Sequence, residues 1–431
     1  MGFRTEPLGN HITLKKGLSY KGESLVDVSD VGLLTMDAFI TGGGYKRHSE
    51  KPYAGDFKPE FCVEPGDVLL AMTEQQEGLL ASPLLIQEDL GGYRELVYSL
   101  DVAKIVLKSG MILPEFVYNF FRVPINRKRA AFGDTGTTVQ RLPYEVVYEQ
   151  MVQVPSIEEQ ELINTFIATI DRKIQLNASM AETLENIAQS IFRSWFVDFD
   201  PVKAKIAGEK PVGMDDATTA LFPDSMEDSE LGLMPKGWSV RALGQVLDCK
   251  KVTVKASKET ESCPYIPIDQ IDPQSIFLRQ SAPGSEARTS LLSFLKNDIL
   301  FGAMRPYFHK VVLAPFDGTT RTTTLVLRSK VEANLSFALF TVFQKDFVSY
   351  ATNHSQGSTI PYAVWAGSLE NYPAVTPSAE VATVFNGLVL PLINFGYGLI
   401  AENTTLVELR DSLLPRLISG ELQIPEEMLA S

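Results

Sequence analysis

Gly136-Thr137-Thr138-Val139 returns as Gly357-Ser358-Thr359-Ile360 after 221 residues. From there the correspondence holds at 222, pairing Pro155 with Pro377, Asn164 with Asn386, Thr183 with Thr405, Leu184 with Leu406 and Ser190 with Ser412. Upstream, Leu8-Gly9-Asn10 followed by Lys15-Lys16-Gly17 is echoed by Leu243-Gly244-Gln245 followed by Lys250-Lys251. Glu64-Pro65-Gly66-Asp67-Val68-Leu69-Leu70 is likewise echoed by Lys296-Asn297-Asp298-Ile299-Leu300-Phe301. A constant offset maintained over many residues marks a duplication. The 431 residues are therefore read as two copies of one unit of about 200 residues, each long enough to bury its own core.

Each copy has two parts. In 1–155 and 237–377, short alternating runs such as Val102–Leu107 and Thr323–Leu327 stand between glycines and prolines, which predicts strands and turns. Helices are expected at Pro114–Phe121 and Ser336–Tyr350, making each part a compact α+β domain. The remainder of each copy has helical periodicity. Ile163, Ile167, Ile170, Ile174, Asn177, Ala181, Leu184, Ala188, Ile191 and Trp195 are spaced alternately four and three apart, a heptad seam with one polar interruption. The 222-residue offset carries this seam to Phe385, Val389, Leu392, Gly396, Leu399, Asn403, Leu406, Arg410, Leu413 and Leu417, of which seven are apolar. The two helices are expected to pair with each other through Ile163, Ile167, Ile170, Ile174, Leu184 and Ile191 on one and Leu392, Leu399, Leu406 and Leu413 on the other. Two unrelated amphipathic helices, each packed on its own domain, is the competing reading. Pro391, Gly396 and Pro415 predict kinks or breaks in the second helix.

Val381–Ala401 has no charged residue, and twenty-one residues suffice to cross a bilayer. Its counterpart, 159–179, contains Glu159, Glu161, Asp171, Arg172 and Lys173, so neither copy is expected to enter a membrane. Residues 201–236 are acidic, hold four prolines and read as a linker. Cys62, Cys249 and Cys263 show no CxxC spacing, and no apolar segment follows Met1, which together predict a reducing, cytoplasmic setting.

Catalytic signatures are missing from the sequence. It has no GxxxxGK[ST] loop, no GxSxG elbow and no Asn-Pro-Pro-aromatic tetrapeptide, and its four histidines are scattered. The chain is expected to be non-enzymatic and to bind no metal or cofactor itself. What stands out instead are basic clusters beside aromatics and glycines. In the first domain these are Lys46 and Arg47, after three glycines and Tyr45, and Arg127 with Arg129. In the second they are Lys250 and Lys251, then Arg305, Tyr307 and Lys310. Such residues can reach phosphates and guanine edges, and aromatics can pack on sugars or bases. A solvated surface is the competing reading of any single cluster.

The formal charge of −14 opposes a nucleic-acid partner until its distribution is counted. Residues 1–155 hold 16 basic and 20 acidic side chains and residues 241–377 hold 14 and 11, so the two domains are close to neutral. The excess lies in 156–240, with 7 against 15, and in 378–431, with 2 against 7.

Pro155-Ser156-Ile157-Glu158-Glu159-Gln160 opening a heptad helix, with Glu182-Thr183-Leu184-Glu185 and Ser194-Trp195-Phe196-Val197-Asp198-Phe199-Asp200-Pro201, resembles the central conserved region of the specificity (S) subunit of type I restriction–modification enzymes. Met234-Pro235-Lys236-Gly237-Trp238 resembles the entry to that family's second recognition domain, and Leu409–Leu422 resembles its C-terminal conserved helix. The resemblance spans essentially the whole chain. It implies an α+β fold with an internal pseudo-twofold repeat: two similar globular target recognition domains separated by two long helices forming an antiparallel coiled coil. The parts would be recognition domain 1 (1–155), central helix (156–200), acidic linker (201–236), recognition domain 2 (237–377) and C-terminal helix (378–431). It further implies that each domain reads one half of a bipartite, asymmetric site on double-stranded DNA and that the helices set the spacer. Two methyltransferase (M) subunits carrying S-adenosylmethionine would dock on the chain, with Trp195, Phe196 and Asp198 among the contacts. Two restriction (R) subunits using ATP and Mg would complete the complex. An S subunit of a methylation-only complex, and a protein-binding coiled-coil scaffold that never touches DNA, stay open as alternatives.

Overall fold

The computed structural model describes residues 4–46, 48–87, 90–131, 141–255, 257–288, 290–357 and 359–425, so Arg47 and the 136–139 leg of the repeat lie outside it. The chain forms two compact units, one of Met1–Ile174 with Thr404–Ser431 and one of Gln175–Asn403. Each unit thus holds one mixed domain and one portion of each of two 40-residue helices.

In the first unit, Ile12–Lys16, Val102–Leu107, Val68–Ala71 and Pro83–Leu85 lie side by side as an antiparallel sheet. A second sheet orders Lys51–Pro52, Val31–Leu34, Glu95–Tyr98 and Cys62–Val63, with Val31–Leu34 parallel to Glu95–Tyr98. Val68-Leu69-Leu70-Ala71 is buried on both faces. Strand alternation explains this: Val68 and Leu70 pack with Phe116 and Phe120 of helix α1 (Pro114–Arg122), whereas Leu69 and Ala71 pack with Leu96 and Tyr98 of the second sheet. Helices α2 (Pro124–Ala131) and α3 (Tyr144–Glu149) follow, and then α4 (Ile157–Phe196).

The second unit repeats the plan. Besides α5 (Asp200–Ile206), α6 (Asp216–Leu221) and the short α7 (Lys258–Glu261), it has an antiparallel sheet that orders Leu247–Lys250, Thr324–Ser329, Ile299–Gly302 and Val311–Leu313. Helices α8 (Leu335–Phe343) and α9 (Lys345–Asn353) match α1 and α2. The second sheets share a three-strand core, with Tyr265–Ile266 parallel to Gly318–Arg321 and Leu291–Phe294 antiparallel to it. Their fourth strands are added at opposite edges: Lys51–Pro52 pairs with the parallel strand, Thr253–Val254 with the antiparallel one. The segment read as a linker is ordered, with α5, α6 and a hairpin of Met226–Ser229 and Gly232–Pro235. Its Phe222 is buried and meets Trp195 edge-on at 5.1 Å.

Helix α10 (Ala379–Ile418) runs antiparallel to α4. Within the second unit Asn177 meets Asn403 at 3.0 Å while Trp195 meets Phe385 at 5.7 Å, so rising numbers on one helix face falling numbers on the other. Of the expected seam, Ile163, Ile167, Ile170 and Leu399 are buried, and Ile174, Leu184, Ile191, Leu392, Leu406 and Leu413 are half-buried. Ile393 and Leu414 take the buried places next to Leu392 and Leu413, because a 3.6-residue helix drifts off a strict heptad. The expected breaks do not occur. Pro391 and Gly387, whose carbonyl the ring leaves unpaired, are exposed to water. Gly396 faces the Phe277 ring so closely that a Cβ there would stand 2.3 Å from Cζ, so this glycine serves packing. The same helix is long and apolar enough to cross a bilayer, yet Val381, Phe385, Val389, Ile393 and Leu399 form one buried face with Ala181, Ala188 and Phe192 of α4.

In the first unit the helices are held by charge. Arg122, at the end of α1, donates from Nη1 and Nη2 to the Asp171 carboxylate at 2.6 and 2.9 Å, and Arg410 of α10 donates to the same group at 3.0 Å. Burial alone would push the Asp171 carboxyl up; the hydrogen bonds and charges of Arg122 and Arg410 outweigh it and hold the group below its ordinary 3.8. A carboxylate depressed in the fold contributes stability above its unfolded value and loses it as pH falls through the folded one. Thermal unfolding of the wild type is therefore expected to steepen with acidification below pH 3.8, and that of D171N, weaker at neutrality, to respond less. Equal pH slopes for the two proteins would refute the assignment.

Candidate nucleic-acid interface

In the second unit the strand Ile299–Gly302 turns back into Val311–Leu313 through Ala303–Lys310. Arg305 (φ 53°) and His309 (φ 54°) both adopt left-handed backbone around the single turn Pro306–Phe308. Such conformations cost non-glycine residues about 1–3 kcal/mol each and persist where surrounding contacts over-determine them. Those contacts are visible. The Arg305 N–H donates to the Pro361 carbonyl at 2.8 Å, and the buried His309 Nε2–H donates to the Phe343 carbonyl at 2.8 Å. Burial pushes the His309 imidazole below its ordinary value, which keeps it a neutral donor. Lys310 Nζ donates to the Ile268 carbonyl at 2.8 Å. With its ends pinned, the loop turns Arg305 outward along with Tyr307 and Phe308, which are 49% and 46% exposed and touch each other at 4.9 Å. Exposed paired rings beside a guanidinium with no partner among the described residues are costly in water and suited to a flat, anionic ligand.

The first unit has the same loop with other residues. Thr73 bridges Arg141 as Met304 bridges Tyr362, and Leu142 donates to Met72 as Ala363 donates to Ala303. The loop closes from Ala71 to Ser82 in the first unit and from Gly302 to Lys310 in the second, so it is three residues longer in the first. Ala81 (φ 59°) stands where His309 stands, also left-handed. Glu74 occupies the place of Arg305 and Arg141 that of Tyr362. Around this loop the sequence-predicted clusters gather. The Gly42 N–H donates to Ser82 Oγ at 3.2 Å, the Gly44 N–H donates to the Pro83 carbonyl at 3.2 Å, and Arg127 Nη1 reaches the carbonyls of Gly42, Phe121 and Arg122.

The structure sorts the predicted cations by what holds them. Lys46, Arg129 and Lys251 are exposed. Arg127 is a clamp between the glycine loop and the end of α1, and Lys310 is tied to its carbonyl. Lys250 is paired with Asp248 at 3.1 Å. Register adds two more: Lys16 pairs with Ala103 and Ala71 with Val102, so Lys15 and Lys16 leave the sheet at the end that bears the loop. Lys250 and Lys251 do the same in the second unit. The aromatics expected to meet a partner lie elsewhere. Trp195 and Phe196 are 7% and 6% exposed and pack on Phe385, Phe337 and Trp238, so their rings are core. Asp198 is at the surface, paired with Arg193 at 3.0 Å.

No protein-family model matches the chain. Among curated proteins, the HindI type I restriction enzyme specificity subunit of Haemophilus influenzae is 26% identical over 412 residues, 84% of this chain and 87% of the relative. The MjaIX specificity subunit of Methanocaldococcus jannaschii is 25% identical over 334 residues, 75% of this chain and 72% of the relative. These curated relatives are type I restriction enzyme specificity subunits, and the chain is similar to them over 63 to 84% of its length. The crystal structure of the type I S subunit from M. genitalium has the same fold, with a TM-score of 0.52 at 13% identity over 97% of this chain and 96% of that one. A specificity subunit is a non-catalytic member of its complex. In this chain, sequence reasoning missed Arg141, Gln75 and Gln76, all exposed at the loop end. The signal was present in the repeat: Arg141 stands 221 residues before Tyr362, the offset of the glycine-threonine match.

Proposed function

We propose that this specificity subunit reads double-stranded DNA, each domain meeting one half of a bipartite site through its sheet-end loop. The observation that carries the reading is the recurrence of a loop at the same sheet end of both domains, with exposed cationic, aromatic or amide side chains. Arg305 anchors phosphate, flanked by Tyr307 against sugar or base; Lys251, Lys46 and Arg129 add positive charge, and Arg127, Lys250 and Lys310 hold the surrounding surface in place. The acidic excess of the helices and of 201–236 keeps those parts off the phosphates and leaves them to protein partners. Exposed Leu176, Met180 and Ile187 on α4, with Leu388 and Phe395 on α10, offer apolar area to two methyltransferase subunits, which would bring S-adenosylmethionine. Two restriction subunits with ATP and Mg would add cleavage. The place of action is the cytoplasm, where the host DNA is.

Filter binding of the chain assembled with its methyltransferase partner, at two salt concentrations, tests this. Binding is expected to fall steeply with salt, and R305A to weaken it about tenfold on all sequences while reducing the salt slope by about one. Salt-independent binding, or none, would identify a protein scaffold instead.

A further inference from the structure

The two loops leave equivalent sheet ends, differ in length by three residues and are opposite in chemistry. Where the second unit presents Arg305, Tyr307 and Phe308, the first presents Glu74-Gln75-Gln76-Glu77-Gly78. Glu74 is used internally, its Oε1 accepting the Gly78 N–H at 2.6 Å and closing the turn. That leaves Gln75, Gln76 and Glu77 exposed at the tip, with Arg141 exposed on the chain that bridges Thr73. A tip carrying a carboxylate is repelled by phosphate, so it cannot grip the DNA backbone as Arg305 can. What a carboxylate and two amides do match is the row of exocyclic amino groups in the major groove. A glutamine side chain accepts from adenine N6 while donating to N7.

We infer that Gln75 and Gln76 are the specificity-determining residues of the first domain and read an adenine-containing half-site in the major groove. Arg141 supplies the phosphate contact that the loop itself lacks. The three additional loop residues carry the amides beyond the sheet end, toward the groove floor. The two half-sites are therefore read by unlike chemistry: amide to adenine in one, a cation with aromatics in the other. This rests on the reading that both domains bind DNA.

The test is selection of randomised duplexes by the full chain assembled with its methyltransferase partner. The wild type should yield a bipartite motif. Q75A/Q76A, altered only at exposed side chains, should yield the same motif with one or two adenine positions of a single half turned degenerate, as about ten- to a hundredfold discrimination is lost there. Q75E/Q76E keeps the acceptors and loses the donors, so preference at those positions should move from adenine toward cytosine, whose N4 only donates. A wild type that selects no motif defeats the DNA-reading proposal itself. A bipartite wild-type motif that both double variants reproduce in full overturns this inference and leaves that proposal standing.

Discussion

A chain lengthened by four residues in α4 beside Asn177, and by four in α10 beside Asn403, is expected to keep both specific half-sites and to select a spacer longer by one to two base pairs. Four residues add about 6 Å of helix, and base pairs stack at about 3.4 Å. Four residues also make just over one helical turn, so the seam faces inward again on both sides of the insertion, as in a coiled-coil stutter. Asn177 marks the place to cut, because the layer is polar there: its Nδ2 donates to Glu402 at 2.8 Å and to Asn403 at 3.0 Å. On the original site the lengthened chain should lose nearly all specific affinity, at least a thousandfold, since only one half can then be engaged. Mapping modified bases in host DNA reads the outcome directly. An unchanged spacer would mean that the helices do not measure the distance between half-sites.

Phe196→Ala is expected to destabilise the second unit by about 3–5 kcal/mol. The ring is almost fully buried, edge-on to Phe385 at 4.8 Å and to Phe337 at 5.1 Å and tilted against Trp238 at 5.8 Å, so it joins α4 to α8, α10 and the segment at Trp238. The rings around it are themselves mutually packed, and a domain of this size has only about 5–15 kcal/mol in hand. Phe196→Leu, which keeps most of the volume, should cost much less. Denaturant unfolding followed by tryptophan fluorescence, with Trp195 and Trp238 as reporters, distinguishes the two. A Phe196→Ala protein within 1 kcal/mol of the wild type would return this residue to the surface role first expected of it, partner contact.

Much of the architecture is written locally or at constant offset, and that part was readable. The repeat follows from matches at one long offset, and the strand-rich and helical parts and the two apolar seams from periodicity, which needs only neighbouring residues. The family motifs on the helices were legible for the same reason, since a seam and its caps are short-range patterns.

What only the tertiary structure decided depends on partners far apart in sequence. Arg127 and Arg129 look alike in the chain, yet one is bound by the Gly42 carbonyl, 85 positions away, and the other stands in solvent. Trp195 and Phe196 are implied as partner contacts, but Phe337, Phe385 and Trp238 enclose them. Pro391 and Pro415 should interrupt a helix by local energetics, but packing of the seam outweighs one lost hydrogen bond at a water-facing carbonyl. The loops at the sheet ends became a pair only when the bridges Thr73–Arg141 and Met304–Tyr362 aligned them. Burial and hydrogen-bond choice are properties of the folded surroundings, and those are set by residues that no local window contains.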